Sequence, residues 1–399
     1  MLKPLDRITQ GIFYVVRPLL PWREPTLLRT YEELTQILTK KKISKVFIVL
    51  DKNLEKMKLH HALLEKLTNH KFQFTTFSEV TPNPTISQVE KALVAYHTFQ
   101  AQAIIGFGGG SPLDVAKALG ARVAKPNQSL LKMGGIMKVG RKTPLMFAIP
   151  TTAGTGSETT LAAVIVDENT KRKYAINDHA LIPHYALLVP ELTFGLPPFI
   201  TATTGMDALT HAVEAYLNHG GTKFTNDKAI NAVRLIFENL VVVFNEPSNL
   251  KARANMQQAA YDAGVAFTRN YVGYVHALSH PLSAFYGLPH GYVNALILPI
   301  MLEEYGSKIY KKLARLAHES GAITLEASDH VVAQLFISKI KEMNVRFGIG
   351  TTIKEIQTED IPTLAAYANK EARPLYPTPV LYSNKKLEEI YKKIKGDVL

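Results

Sequence analysis

Cysteine is absent from this chain of 399 residues. Disulfides and cysteine-ligated metal sites are thereby excluded, so any metal must be held by histidines and carboxylates. Long apolar runs are missing too. None approaches the roughly 20 residues that span a bilayer, and the short run Gly11 to Val16, followed by Arg17 and Pro18, is unlike a secretory leader. No membrane association is expected, and a cytoplasmic location is the default. Internal repeats and low-complexity segments are also lacking. What remains is a globular composition, 46% hydrophobic and 20% charged, long enough for two or three domains around a buried core. The net charge of +12 comes from dispersed lysines and short runs such as Lys40 to Lys42. In the tail Lys385 to Lys395 the lysines alternate with Leu, Ile and Glu as in an amphipathic helix. Nucleic acid is therefore not expected as a partner, whereas an anionic cofactor or substrate would profit from the same field.

Up to residue 195, continuous apolar runs alternate with helical periodicities. Strands are predicted at Ile12 to Val16, Val46 to Leu50, Phe72 to Phe77, Ala101 to Gly106, Pro144 to Ile149, Ala162 to Val166, Lys173 to Ile176 and Tyr185 to Val189. Helices are predicted over Glu24 to Lys42, Asn53 to Leu67, Ile86 to Phe99 and Pro112 to Leu119. Residues 1–195 thus read as an α/β domain with a parallel, Rossmann-like sheet. Pro197 and Pro198 mark a boundary. Residues 196–399 read as an all-α domain, with helices at Ile200 to Asn218, Thr225 to Phe244, Asn249 to Thr268 and Tyr310 to Leu316.

Three features of the first domain suit a nucleotide. Asp51 ends the first buried run, where a carboxylate can accept from both hydroxyls of an adenosine ribose or can simply cap the helix that follows. Gly108-Gly109-Gly110-Ser111 lies between a strand and a helix: glycines admit a pyrophosphate, Ser111 is suited to capping the helix, and Pro112 fits its first turn. The spacing is not that of the standard dinucleotide fingerprint, because Asp51 precedes the glycines instead of following them, and a plain flexible turn is the alternative. Pro150 to Glu158 (PTTAGTGSE) offers backbone and hydroxyl donors without bulk, suited to a phosphate or carboxamide.

The second domain carries a metal-ligand pattern. Asp207 and His211 are one helical turn apart and project from one face. His276 and His290 follow, with His280 between them, a spacing that suggests one ligand on a helix and one on the loop beyond. A polar helix face or a hydrogen-bonded core histidine would explain each half alone. Together, embedded in Ala208, Leu209, Ala212, Val275, Ala277 and Leu278, they form an ionisable cluster whose burial a divalent cation would compensate.

In order, GGGSPLDVAK (Gly108 to Lys117), PTTAGTGSE, GMDALTHAVE (Gly205 to Glu214) and Val275 to Gly291 make the chain resemble the iron-containing, or group III, alcohol dehydrogenase family over residues 45–300. The resemblance implies a dinucleotide domain followed by a helical metal-binding and catalytic domain, with NAD(P) and substrate in the cleft between them. It implies Asp207, His211, His276 and His290 as metal ligands and His280 as a neighbour that does not bind. Gly109, Gly110, Ser111, Thr151, Thr152 and Thr155 would contact the cofactor, with Asn83, Asp114 and Lys173 as further candidates. A carboxylate at Asp51 favours NAD over NADP by repelling a 2′-phosphate. The donor set suits Fe²⁺, Zn²⁺, Ni²⁺ or Co²⁺, and the family name favours iron, with zinc as a replacement. The implied reaction is reversible hydride transfer between a primary alcohol and NAD, with the metal as Lewis acid and His280 relaying the alcohol proton. Ala162 and Phe267, small or apolar, point to simple aliphatic alcohols. A homodimer or larger homo-oligomer is expected. The rival expectations are a glycerol-dehydrogenase-like or dehydroquinate-synthase-like member of the superfamily, or a non-catalytic binding or filament-forming protein of the same fold. The glycine-bearing loop usual near the first strand has no match in PWREPTLLRTYEEL, a departure expected to alter the adenosine side or the oligomer contacts.

Overall fold

A computed structural model describes residue 20, residues 22–170 and residues 172–397. The strand expected at Ile12 to Val16 lies outside the described residues. Contacts divide the chain into one compact unit, Pro21–Gly195, and another that holds Leu196–Leu399.

The first unit contains strands β1 (Thr26–Leu28), β2 (Lys45–Asp51), β3 (Gln73–Val80), β4 (Ala103–Gly108), β5 (Gly135–Ile136), β6 (Leu145–Pro150), β7 (Ala162–Asp167), β8 (Arg172–Asn177) and β9 (Tyr185–Leu187). Its helices are α1 (Tyr31–Lys40), α2 (Lys52–Lys56), α3 (His61–Asn69), α4 (Ile86–Phe99), α5 (Gly110–Ala124) and α6 (Leu130–Met133). Six strands form a parallel sheet in the order β1-β9-β6-β4-β2-β3; β5, β8 and β7 form a second, smaller sheet. Val46 to Leu50 are all fully buried because successive strand residues face opposite sides. Phe47 and Val49 enter one apolar core with Ile104 and Met146, while Val46, Ile48 and Leu50 enter the other with Phe107 and Phe147. The chain leaves β2 for β3 on one side and returns to β4 on the other. The order therefore reverses between β2 and β4, and crevices at the carboxyl ends of such strands are where open α/β sheets bind ligands. Asp51 ends β2 and Gly108 ends β4, so the two features sit at adjacent strand ends although the sequence separates them.

The helix expected from Glu24 to Lys42 begins later. Thr26 to Leu28 pair with β9 instead, and the capping box of Thr30 with Glu33 starts α1 at Tyr31. His184, just before β9, accepts a hydrogen bond at Nδ1 from the Met146 backbone N–H at 3.1 Å. Burial, with help from the Arg23 and Lys41 charges, pushes its pKa down to about 4 from 6.5. The unfolded chain then binds the extra proton between those pH values, so stability rises with pH across the window and is lost as pH falls from 6.5 toward 4. A plot of melting temperature against pH should show this decline, and His184→Asn should flatten it. An unchanged slope in the variant would refute the assignment.

The second unit is helical: α7 (Pro198–Leu217), α8 (Lys223–Asn245), α9 (Leu250–Asn270), α10 (Tyr274–Tyr286), α11 (His290–Tyr305), α12 (Tyr310–Glu319), α13 (Asp329–Arg346), α14 (Ile361–Leu375) and α15 (Asn384–Lys395). Helix α7 is buried on nearly every face from Thr201 to Leu217, as expected of a helix apolar all round. Its carboxyl end is closed by Lys312, whose Nζ donates to the carbonyls of Tyr216, Leu217 and Asn218 at 3.2, 3.2 and 2.8 Å. No helix among the described residues is long and apolar enough to cross a membrane.

Candidate metal centre and nucleotide loop

Asp207, His211 and Glu214 follow one another along α7 at turn spacing and are all buried. Glu214 was not expected as part of the site, although its place on the same helix face as Asp207 and His211 is a signal the sequence contains. Its Oε2 accepts from His276 Nδ1 at 2.6 Å and from the Gly273 N–H at 2.8 Å, and its Oε1 accepts from the Val275 N–H at 2.7 Å. Glu214 therefore caps α10, whose Gly273 offers no side chain for the purpose. A Cβ at Gly273 would lie 2.7 Å from Glu214 Oε1, so the glycine is needed for this approach. Burial pushes the Glu214 carboxyl up from its ordinary range, while its three hydrogen-bond donors oppose that shift and favour the carboxylate. Burial also holds His276 well below the ordinary histidine pKa, with the neighbouring His211, His290 and His280 adding to the effect.

With Nδ1 committed to Glu214, His276 turns Nε2 toward the other polar groups. One ligand atom each from Asp207, His276 and His290 lies within 4.8 Å of the others. His290 is the first residue of α11 and not part of a loop, which corrects the sequence expectation; α10 ends at Tyr286 and the intervening turn is short. Gly291 lets α11 approach α7, because a Cβ there would meet the Thr203 carbonyl oxygen at 2.6 Å and Asp207 Cβ at 3.3 Å. Asn294, one turn after His290 and fully buried, marks the point of convergence. Its Nδ2 donates to Asp207 Oδ1 at 2.7 Å and stands 3.1 Å from His276 Nε2 and 3.0 Å from His290 Nε2. His211 joins by ring contact, stacked between His276 at 4.6 Å and Phe267 at 4.3 Å, rather than as part of the convergent set. One carboxylate and two imidazoles, drawn from three helices and mostly buried, converge as donors that fit a divalent cation of borderline softness. His280 lies beside them, its ring stacked on His290 at 5.0 Å and its side chain 40% exposed.

The first unit supplies the other half of the expected site residues. Helix α5 begins at Gly110 with Gly109 as its N-cap and has no side-chain cap; Ser111 is inside the first turn, which corrects its expected capping role. The amino-terminal N–H groups are thus open to an anion. A Cβ on Gly109 would meet only Thr152, at 3.6 Å, and one on Gly110 only Thr155, at 3.4 Å. The Thr152 hydroxyl oxygen is buried and has no hydrogen-bond partner among the described residues. Two glycines that the packing does not demand, beside an orphaned hydroxyl, fit a phosphate-bearing ligand. Thr151 ties the threonine loop to β4 by donating its N–H to the Gly108 carbonyl at 3.1 Å. Asp51 does cap α2, its Oδ1 accepting from Asn53 and Leu54 N–H at 2.8 and 3.0 Å. Lys173 Nζ donates to Asn83 Oδ1 at 3.1 Å, which brings those two candidates together.

Asp114 serves the fold: Oδ1 accepts from Ser157 Oγ at 3.0 Å and Oδ2 from the Val164 N–H at 3.3 Å. Next to it the fully buried Lys117 donates to Ser157 Oγ, Thr160 Oγ1 and the Ala162 carbonyl at 2.9, 2.7 and 3.0 Å. Burial lowers Lys117 to about 8 and raises the neighbouring Glu158 to about 7. This buried polar unit, unseen in the sequence, fastens the threonine loop to α5.

The family model described as iron-containing alcohol dehydrogenase matches residues 29–190, and that of the Fe-containing alcohol dehydrogenase family, C-terminal, matches residues 201–395. Alcohol dehydrogenase 4 of Saccharomyces cerevisiae is 34% identical over 366 residues, covering 91% of this chain and 94% of the yeast protein. The crystal structure of a 1,3-propanediol oxidoreductase superimposes with a TM-score of 0.89 at 30% identity, over 94% of this chain and 99% of that one. Sulfoacetaldehyde reductase from Bifidobacterium kashiwanohense, solved in complex with NAD+, gives a TM-score of 0.83 at 27% identity over 94% of this chain and 98% of that one. With both units matched, and with a relative of this identity aligned along nearly the whole length, the chain belongs to the iron-containing alcohol dehydrogenase family.

Proposed function

We propose that this protein catalyses reversible hydride transfer between a primary aliphatic alcohol or its aldehyde and NAD, with Asp207, His211, His276 and His290 holding Fe²⁺ or, in its place, Zn²⁺. The observation that carries the reading is the convergence of Asp207, His276 and His290 on one point in a chain of this family. When bound, the cation supplies Lewis acidity toward the alcohol oxygen and the nicotinamide accepts the hydride. The remaining work falls to the chain's own residues. Glu214 commits His276 Nδ1–H and so leaves Nε2 for the cation. Phe267 covers His211 with an apolar ring, which supports simple aliphatic alcohols over polyols.

Gly109, Gly110 and Ser111 at the start of α5, with Thr151, Thr152 and Thr155, would hold the phosphates and the nicotinamide. Asn83 and Lys173 would add contacts, and Asp114 would support the loop from beneath. Asp51 uses Oδ1 for its cap, and its second oxygen suits a ribose hydroxyl while its charge disfavours a 2′-phosphate. The NAD+ complex of the related sulfoacetaldehyde reductase supports the same cofactor. His280, partly exposed beside the ligands, is our candidate for passing the alcohol proton toward solvent. A cytoplasmic homo-oligomer completes the reading, with light scattering as the test of subunit number.

Metal-loaded protein, prepared with Fe²⁺ or Zn²⁺ and given a panel of alcohols and aldehydes, should form or consume NADH with short aliphatic substrates. A higher kcat/KM with NADPH than with NADH would refute the role of Asp51. Absence of any alcohol-dependent NADH signal from metal-replete protein would overturn the enzymatic reading in favour of a binding protein.

A further inference from the structure

The orientation of His280 is set by one contact from its own stretch of sequence and one from far along the chain. Two contacts determine how a histidine ring stands: one fixes its plane and one fixes its rotation within that plane. The first is the stack on His290, with ring centroids 5.0 Å apart and planes 15° from parallel. The second is a hydrogen bond from Nδ1 to Glu371 Oε1 at 2.6 Å, made across 91 residues of sequence. Glu371 is itself held, because the Tyr376 hydroxyl donates to the same Oε1 at 2.6 Å.

The Tyr376–Glu371 bond requires α14 to break. Residues five apart on a continuous α-helix point roughly 140° away from one another, so Tyr376 could not reach back to Glu371 along an unbroken helix. Arg373 has φ −97° and ψ 126° inside α14, an extended conformation. It precedes Pro374, and the residue before a proline is disfavoured in the helical region. The chain therefore turns at Arg373, and Tyr376 doubles back on the carboxylate it follows.

We infer that Glu371, pinned by Tyr376, is a positioning residue for His280: it holds Nδ1–H and leaves Nε2 as the nitrogen available to the substrate hydroxyl. This deepens the alcohol dehydrogenase reading and rests on it. The carboxylate does not touch the substrate, and it holds no cation. It decides the tautomer and the aim of the ring that does face the substrate.

The test is a double-mutant cycle on metal-replete enzyme, with Glu371→Gln, His280→Ala and the pair, and with Tyr376→Phe as a variant that removes only one hydroxyl. Wild-type activity toward an alcohol is measured first; if it is missing, the enzymatic reading fails and the inference is not what failed. Given that activity, Glu371→Gln should lower kcat about tenfold or more, with KM for NAD within about twofold and metal content unchanged. In the His280→Ala background the same substitution should have almost no further effect. Tyr376→Phe should lower kcat by a few fold in the wild-type background and not at all in the His280→Ala background. Losses that multiply in full in the double variant, or a wild-type kcat in both Glu371→Gln and Tyr376→Phe, would overturn the inference. Should Glu371→Gln fail to fold, the Tyr376→Phe arm decides alone by the same criterion.

Discussion

Glu214→Gln is expected to weaken metal binding about 10- to 100-fold, although Glu214 is not a ligand. Three donors converge on its carboxylate: the His276 ring N–H and the backbone N–H groups of Gly273 and Val275. A carboxylate has acceptor sites for all three, whereas a carboxamide has one oxygen and an NH₂ that must face a donor. Either a backbone N–H at the start of α10 loses its partner, or His276 moves its proton to Nε2 and so withdraws the nitrogen that a cation needs. Both outcomes cost free energy, about 1–3 kcal/mol for an unsatisfied buried polar group. His276→Ala should have the larger effect and remove both bound metal and activity, because it deletes the ligand itself. Chelator competition and metal analysis of the purified variants read these losses without recourse to turnover. Metal affinity in Glu214→Gln equal to that of the wild type would show that the His276–Glu214 bond does not serve the site.

The second large effect separates two adjacent glycines. Gly108→Ala should destabilise the fold by about 2 to 4 kcal/mol, because Gly108 has φ +146° and its added Cβ would lie 2.6 Å from Pro112 Cγ and 2.9 Å from Leu54 Cδ1. Gly109→Ala should leave the melting temperature nearly unchanged, since its Cβ meets nothing closer than Thr152 at 3.6 Å. It should nevertheless lower NADH affinity at least tenfold, about 1.4 kcal/mol or more, by obstructing the approach of a phosphate to the start of α5. Thermal denaturation and NADH fluorescence titration measure the two quantities separately. If Gly109→Ala binds NADH as tightly as the wild type, the nucleotide does not use this helix terminus.

Much of this was legible in the chain. The all-apolar run Val46 to Leu50 announces a strand covered on both faces, and that is what β2 is. The four-residue spacing of Asp207 and His211 announces one helix face, and α7 carries both. Where local reading went astray, a longer-range partner intervened. Leu27 and Leu28 have helical spacing with Tyr31 and Leu34, but pairing with β9 draws Thr26 to Leu28 into the sheet. Ser111 is a good capping residue by type, yet the helix starts one residue before it. For Asp51 the sequence left a cap and a ribose contact open, and the cap is made.

Periodicity and turn chemistry are properties of neighbouring residues, so the sequence by itself determined the buried strands of the first unit, the helical character of the second, and which side chains share a helix face. It also carried the ordered motifs by which the family is recognised. Only the tertiary structure decided which partner each polar group takes. Glu214 finds Gly273, Val275 and His276, Asn294 finds three ligand atoms at once, and Glu371 finds His280 across 91 residues. Such pairings leave no local pattern, because a buried hydrogen bond is satisfied by whatever group the packing of distant helices delivers within about 3 Å.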